Sequence, residues 1–516
     1  MGLLALATAL GKGIGALYKV PLIGILGAEG MGVYQSVFPL YAALLTMVSG
    51  GISTTTARLV ALNADNPGAV GLVRRGAMSL AGVLGAVATV GVIALSVPIS
   101  VLQGGVVAPS VYFALAPAVI PSSLIAVMRG YFQGKGNLVP GAVSQVVEQG
   151  AKVVFGLVFA GLLAPRGMLW AVAGAMAGIC LASLVALLWL IIAKSQEKPK
   201  EVRAHGDIKS GEFAHAFFWV LRLSIPLAVG ALTHPLAHLI DSVVVVRILT
   251  ATIGAGRAIE GFGLYSGAVC ALISLPSVAT VGITAGIIPS VCRRGAGHTQ
   301  KLNFALRMAL VPCVLMAVIY FAFSREIIGV LYPGLSAGNS ALTAQLLQVG
   351  SLGVVFSGAG QVVVAFLQGV GAGGRAVRNA FWTLLVRAVL GALLAAWLGI
   401  VGVAVSGVVS SALSCVLNVL CWQKYAGRGK ILKNVSGICL GGAIILASGM
   451  FVSAVGGPLA IPCAVVLGVI YLLLVIRSGS FSAEECKKFP LPGVMSALAG
   501  KKGLAKSDNR SRTWKE

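Results

Sequence analysis

The chain has 516 residues, of which 58% are hydrophobic and only 10% are charged. Ordinary soluble domains carry about 25% charged residues, so this composition excludes them and indicates a polytopic helical membrane protein. The formal net charge of +24 does not point to nucleic acid, because the basic residues cluster between apolar segments, as membrane topology requires.

Apolar segments long enough to cross about 30 Å of hydrocarbon recur from one end of the chain to the other. We predict an all-α fold with about fourteen spans. The loops after even-numbered spans hold most of the loop Lys and Arg, which predicts that these loops and both termini are cytoplasmic. The predicted spans are 2–20, 33–60, 76–101, 111–130, 139–163, 168–193, 217–247, 262–291, 303–324, 345–369, 379–398, 401–422, 435–456 and 458–477.

The two halves of the chain resemble each other. "YFQGKGN" at 131–137 matches "FLQGVGA" at 366–372, and the same offset of 235 pairs Lys152 with Arg387 and Gly167 with Gly402. An offset of six spans keeps orientation, so we predict two pseudo-symmetric six-helix lobes around a central cavity. The predicted domains are an N-lobe (1–193), a cytoplasmic linker (194–216), a C-lobe (217–422), spans 13 and 14 (423–477) and a basic tail (478–516).

Ionisable residues inside predicted spans are the candidate functional residues, because a charge at mid-bilayer is costly. In span 5, Glu148 precedes Lys152 by four residues, so the two share a helix face. Such a pair either fixes helix packing or faces a cavity as a polar patch. Lys12 and Lys19 lie on a Gly-rich first span, which suits an anionic head group, although both side chains can also reach the interface.

Span 7 carries His234, His238 and Asp241 at i, i+4 and i+7, a single helical stripe. Pro235 favours a kink beside it. A carboxylate near imidazoles can titrate near neutral pH, so the stripe suggests coupling to H⁺ or Na⁺; a buried polar network is the alternative. We predict no metal site, because no further His or Cys cluster supports one.

Four stretches make the resemblance to a known family specific: "YKVPLIGILGAEGMGVYQSVFPLY" (18–41), "SGGISTTTARLVA" (49–61), "RGYFQGKGNLVPGAVSQVVEQGAKV" (129–153) and "LIDS" (239–242). The chain resembles the stage V sporulation protein B type of polysaccharide biosynthesis protein. That group belongs to the multidrug, oligosaccharidyl-lipid and polysaccharide exporter superfamily, which includes the lipid II flippases.

The resemblance implies a monomeric flippase in the bacterial cytoplasmic membrane that moves an undecaprenyl-diphosphate-linked saccharide by alternating access, for peptidoglycan or polysaccharide synthesis, during growth or sporulation. Spans 13 and 14 then form a groove for the lipid tail among membrane lipids. We predict head-group contacts from Lys12, Lys19, Lys152 and Arg387, and cavity or coupling roles for Glu148, His234, His238 and Asp241. A cation-coupled multidrug exporter is the alternative; we expect no enzyme and no cofactor beyond a coupling ion.

Overall fold

The computed structural model describes residues 2–197, 210–280, 298–426, 435–455, 460–478 and 480–481. Every regular element within these ranges is helical, which confirms the all-α prediction. Most of the predicted linker and of the predicted basic tail lies outside the described residues.

The described residues form the helices α1 to α18. In chain order they are α1 (Gly2–Leu17), α2 (Lys19–Leu62), α3 (Pro67–Leu102), α4 (Pro109–Leu115), α5 (Val119–Gly134), α6 (Val139–Leu163), α7 (Met168–Ser195), α8 (Ser210–Ala231), α9 (Thr233–Ile240), α10 (Val246–Ile253), α11 (Ala255–Phe262), α12 (270–280), α13 (His298–Ala322), α14 (Ser324–Leu331), α15 (Ala337–Gly369), α16 (Gly373–Ala426), α17 (Ser436–Val455) and α18 (Ala460–Arg477). Two π-helical segments, Asp241–Val245 and Gly263–Val269, connect α9 to α10 and α11 to α12.

The two longest helices, α2 with 44 residues and α16 with 54, are each about twice as long as a bilayer requires, since each helical residue adds about 1.5 Å. Helix α2 is interrupted at Gly27 (φ 68°) and α16 at Gly399 (φ 60°), a backbone region that glycine enters without steric cost. Twelve apolar helices in the described ranges are long enough to span a membrane, and the first and tenth contain these two breaks. Dividing both at glycine gives fourteen spans, so the predicted number is confirmed.

Span 7 shows how proline shapes the local backbone. Helix α8 ends at Ala231 and α9 begins at Thr233. Pro235 has no N–H to bond the carbonyl of Ala231 four residues earlier, and its ring crowds that carbonyl. The predicted irregularity therefore lies one turn before the proline.

The chain forms two compact units. The first comprises Met1–Leu272 and Ala380–Ser406, and the second comprises Ile273–Asn379 and Gly407–Glu516. Helix α16 therefore contributes residues 380–406 to the first unit. The lobe boundaries drawn from the sequence stay a prediction.

The second unit has an apolar core in which Phe366 and Trp422 are both fully buried. Their rings meet edge to face with 5.9 Å between centroids, a favoured aromatic geometry. Helix α17 packs closely on α13, because a Cβ at Gly442 would lie 2.7 Å from the Val314 side chain. Helix α17 is thus held to α13 by a small-residue contact, as membrane helices commonly are.

The sequence repeat is visible in the backbone. Gly136 and Gly371, 235 residues apart, both have positive φ (76° and 81°) and end α5 and α15 with the same hydrogen bonds. In each turn the glycine N–H bonds the carbonyl three residues back and the next N–H bonds the carbonyl five residues back, the Schellman pattern.

The positive φ does not follow the repeat at every match. Gly167 has positive φ (115°), but Gly402, which the offset of 235 pairs with it, does not, and in α16 the positive φ falls at Gly399. Gly402 instead lets the chain approach itself, since a Cβ there would lie 2.0 Å from the carbonyl oxygen of Leu394. Gly399 therefore interrupts the helix, and Gly402, three residues later, permits the close contact with the Leu394 carbonyl.

Candidate functional site

A buried ion pair joins α16 to the π-helical segment that follows α9. The Arg387 Nε donates to both carboxylate oxygens of Asp241 at 3.1 Å, and Nη2 donates to Oδ2 at 2.6 Å. The Asp241 side chain is 7% exposed and that of Arg387 18%. A forked guanidinium–carboxylate contact of this kind is strong and fixes both side chains.

The two residues of this pair were predicted for different roles, Asp241 for ion coupling and Arg387 for head-group binding. The structure brings them together, so each neutralises the other. Asp241 begins the π-helical segment Asp241–Val245, and such segments are frequent at functional sites. A π-helical turn contains about one more residue than an α-helical turn. The side chains that follow Asp241 are therefore rotated about the helix axis relative to the predicted stripe.

The second π-helical segment provides a backbone acceptor. The side-chain amide of Gln35 donates to the Ser266 carbonyl at 2.5 Å and to its hydroxyl at 3.0 Å. The Lys19 ammonium donates to the same carbonyl at 3.4 Å. Gln35 is buried (6% exposed) and was missed from sequence, although an amide within the apolar stretch "VYQSVF" was a usable signal.

Close backbone packing places these residues together. A Cβ at Gly32 would lie 1.9 Å from the carbonyl oxygen of Ile259, and one at Gly263 would lie 2.2 Å from that of Ala28. Only glycine permits this approach of α2 to α11 and to the π-helical segment after it. The approach brings Lys19 and Gln35 of α2 within reach of Ser266.

Lys152 on α6 lies against aromatic rings. Its ammonium nitrogen is 5.5 Å from the ring centroid of Tyr18 and 5.1 Å from that of Phe38, within the range of cation–π attraction. No described carboxylate lies within ion-pair distance of this ammonium. Lys152 is therefore a partly buried cation held by ring faces.

The predicted Glu148–Lys152 pair is wrong. Glu148 Oε2 instead accepts from Arg129 Nη2 of α5 at 2.7 Å, and Arg129 Nε donates to the Ser144 hydroxyl at 2.8 Å. The i, i+4 spacing permits a pair along one helix. The guanidinium of a neighbouring helix satisfies the carboxylate better, because its fork reaches Glu148 and Ser144 together.

These groups form one electrostatic cluster within the first unit. Cys270 lies within electrostatic range of Lys19, Asp241 and Arg387, and Lys152 lies within range of Lys19 and Glu148. Two carboxylates already have guanidinium partners, so the ammonium groups of Lys19 and Lys152 supply the surplus positive charge. The cluster is equipped to bind an anion.

The remaining predicted residues are placed less completely. Lys12 lies on α1 and His234 on α9, but the side chains of both fall outside the described residues. His238 on α9 is partly buried. Among the described residues, no group of three His, Cys, Asp or Glu side chains is arranged to hold a metal ion.

Fold and cluster together define a polytopic helical membrane protein with a cationic site inside one unit. A family model described as "Polysaccharide biosynthesis protein" matches residues 1–290. The match covers more than half of the chain, which therefore belongs to this family.

Two proteins of Bacillus subtilis (strain 168) are similar over nearly the full length. Stage V sporulation protein B is 25% identical, with 93% of this chain and 95% of that protein covered. The uncharacterized membrane protein YabM is 24% identical, with 96% and 94% covered. The resemblance predicted from sequence is thereby confirmed.

Solved transporters share the fold. The lipid II flippase MurJ in an inward closed conformation has a TM-score of 0.69 at 13% identity, covering 92% of this chain and 98% of its own. An inward-facing multidrug resistance MATE family transporter of the MOP superfamily has a TM-score of 0.63 at 15% identity, covering 83% and 98%. At 13% and 15% identity, these likenesses show that this chain and the two transporters share a fold.

Proposed function

We propose that the protein flips an undecaprenyl-diphosphate-linked saccharide across the bacterial cytoplasmic membrane by alternating access, supplying peptidoglycan or polysaccharide synthesis. The family description supports a role in making polysaccharide, and the fold is one that a lipid II flippase uses. The proposal includes a monomer with both termini in the cytoplasm.

The observation that carries the proposal is the pair of ammonium groups without carboxylate partners. Among the described residues, Lys19 bonds only a backbone carbonyl and Lys152 contacts only ring faces. Two cations inside an apolar unit suit a diphosphate, whose charged hydrogen bonds are each worth about 1.5–3 kcal/mol. Membership of Lys12 in this head-group site stays a prediction.

The cation-coupled exporter of small molecules is less well supported. It needs a carboxylate that can exchange its ion, whereas Asp241 is saturated by Arg387 and Glu148 is paired with Arg129. A coupling ion, H⁺ or Na⁺, remains part of our proposal for the flippase, and because both carboxylates are paired, His234 and His238 of α9 are its candidate residues.

The lipid tail is proposed to run along the last two spans. Leu440 and Phe451 of α17 and Val465 of α18 are 65%, 73% and 65% exposed. Such residues face hydrocarbon in a membrane, where a polyprenyl chain is as soluble as the lipids. We therefore assign the proposed groove to the exposed apolar faces of α17 and α18.

Complementation of a bacterial strain depleted of its lipid II flippase tests the proposal, scored by survival and by externally accessible lipid II. We expect wild-type protein to rescue growth and Lys152→Gln to lower the export of lipid II about 10–100-fold, the loss expected for one charged hydrogen bond. Lys152→Arg keeps the cation and is expected to retain most of the rescue.

Arg166→Gln is the matched control, because this exposed residue at the end of α6 also loses one positive charge. Its rescue is expected to equal that of wild type at the same membrane level. Equal rescue by Lys152→Gln would remove Lys152 from the head-group site, and no rescue by well-expressed wild type would direct the test to other lipid-linked glycans.

A further inference from the structure

A second cationic cluster lies away from the proposed substrate site, around the ring of Tyr131 at the end of α5. Three cations from three elements face this ring: Arg74 Cζ, Lys135 Nζ and Lys194 Nζ are 6.0, 5.3 and 5.6 Å from its centroid. Tyr131 itself is buried, with 3% exposed, so the ring is a fixed platform on which the cations converge.

Among the described residues, one carboxylate partly neutralises the group. Glu197 accepts from Lys135 at 3.0 Å, from Lys194 at 3.0 Å and from the Tyr131 hydroxyl at 2.8 Å. Within the described part of the chain, three cations against this carboxylate leave two positive charges uncompensated. The side chains of Lys135 and Lys194 are 39% and 32% exposed, so their remaining donors are accessible from outside.

Apolar surface adjoins the cations on α7. Ile191, one helical turn before Lys194, is 48% exposed, and Leu188, one turn earlier, is 57% exposed. Residues three apart lie on one helix face, so a charged end continues directly into an apolar strip. A molecule that fits both carries an anionic group joined to hydrocarbon.

We propose that this cluster, formed by Arg74, Lys135, Lys194 and Tyr131, binds the phosphate of an anionic phospholipid, with an acyl chain along the exposed face of α7. The cluster stands where α5 and α7 end, the level at which head groups meet a membrane-spanning helix. In the predicted topology this is the cytoplasmic leaflet, whose anionic lipids attract basic residues beside the membrane. The site is independent of the proposed transport activity.

Native mass spectrometry of the detergent-purified full-length protein tests the site. Phosphatidylglycerol and phosphatidylcholine with identical acyl chains are titrated separately, and phosphatidylglycerol is titrated again with excess inorganic phosphate. We expect preferential binding of phosphatidylglycerol that inorganic phosphate does not displace. Displacement by inorganic phosphate would assign the site to a free anion and overturn the lipid; equal binding of both lipids would overturn charge recognition.

Substitutions that remove positive charge and one that removes negative charge complete the test. Lys135→Gln with Lys194→Gln is expected to weaken phosphatidylglycerol binding about fivefold for each cation removed. Arg75→Gln with Arg166→Gln removes the same charge from two exposed positions away from the ring and should leave binding unchanged. An equal loss of phosphatidylglycerol binding in this control would show that net charge alone sets the affinity, which would overturn the site.

Glu197→Gln is expected to strengthen lipid binding, a result that destabilisation of the protein would not produce. Removing the competing carboxylate frees both lysines and is expected to tighten phosphatidylglycerol binding about fivefold. Weaker or unchanged binding in Glu197→Gln would mean that the cluster is an internal ion-pair network and not a lipid site.

Discussion

Lys152 and Arg387 occupy equivalent positions in the sequence repeat, 235 residues apart, yet they have different partners. Arg387 is held by three hydrogen bonds to Asp241, whereas Lys152 lies over the rings of Tyr18 and Phe38. Both lie in the first compact unit. The repeated cation is thus closed in an ion pair in one copy, and in the other it is an ammonium group with no carboxylate partner among the described residues.

The difference separates a structural role from a binding role. An anionic ligand at Arg387 must compete with a carboxylate that is already in ideal geometry, and separating that pair is costly. An anion at Lys152 replaces only ring-face contacts, which are worth about 0.5–2 kcal/mol. The comparison therefore predicts that stability depends on the Arg387 copy and ligand binding on the Lys152 copy.

The largest expected effect is on stability at the Arg387 copy. Asp241→Ala leaves a buried guanidinium without its counter-charge, which costs about 3–5 kcal/mol. Adding Arg387→Met to Asp241→Ala removes the orphaned charge and is expected to recover most of this loss. Thermal unfolding of detergent-purified variants, followed by size-exclusion chromatography, measures both effects.

Lys152→Met is the comparison variant for this prediction. It removes a cation that has no ion-pair partner among the described carboxylates, so we expect a loss limited to the cation–π contribution of about 0.5–2 kcal/mol. A loss at Lys152→Met as large as that at Asp241→Ala would contradict the distinction between the two copies.

A smaller effect tests whether the two halves of the chain have the same glycine turn, which ends α5 in one half and α15 in the other. Gly136→Ala and Gly371→Ala each force a Cβ into a left-handed conformation, costing about 1–2 kcal/mol. Neither site has an atom within 4 Å of the added Cβ, so backbone strain alone decides the cost. We expect equal losses of thermal stability in the two variants.

Gly150→Ala is the matched control for the turn variants. Gly150 lies inside α6, and its Cβ would also meet nothing within 4 Å. Since alanine is the better helix former, this change is expected to be neutral or stabilising by up to about 1 kcal/mol. Unequal losses at Gly136 and Gly371 would mean that surroundings, not the shared backbone, set their cost.

The spans and the repeat were predictable because both are local patterns. Hydropathy gives span length, and the Gln-Gly turn repeats in sequence as it does in backbone. The residues of the cluster were also found from sequence, since Lys152, Arg387 and Asp241 are ionisable groups in apolar surroundings. Gln35 was not predicted because its side chain is uncharged, although an amide is also costly to bury in apolar surroundings.

Partners were harder to predict than residues. The Glu148–Lys152 pair was inferred from spacing along one helix, but Glu148 pairs with Arg129 on α5. Asp241 and Arg387 are 146 residues apart, so their contact depends on how α16 packs beside the π-helical segment. Spacing within a helix cannot reveal a competitor supplied by another helix.

The smallest expected effect concerns the charged side chains around the first turn. Burial opposes ionisation of Glu197, but its hydrogen bonds from Lys135, Tyr131 and Lys194 outweigh burial and lower the pKa of its carboxyl. A lowered folded-state pKa stabilises the fold above the unfolded value of about 4.3, and this contribution disappears as pH falls through the folded-state pKa. The contribution is at most about 1 kcal/mol, because the pair is partly solvated.

Thermal unfolding of wild type and Glu197→Gln between pH 3 and 7 measures this contribution. We expect wild type to be slightly more stable at neutral pH, and the difference to shrink as the pH falls from the unfolded value of about 4.3 through the lowered folded-state pKa of Glu197. The counterpart residues Val370, Gly371 and Ala372 carry no titratable side chain of their own. A difference between wild type and Glu197→Gln that does not change with pH would show that Glu197 acts through shape and not through charge.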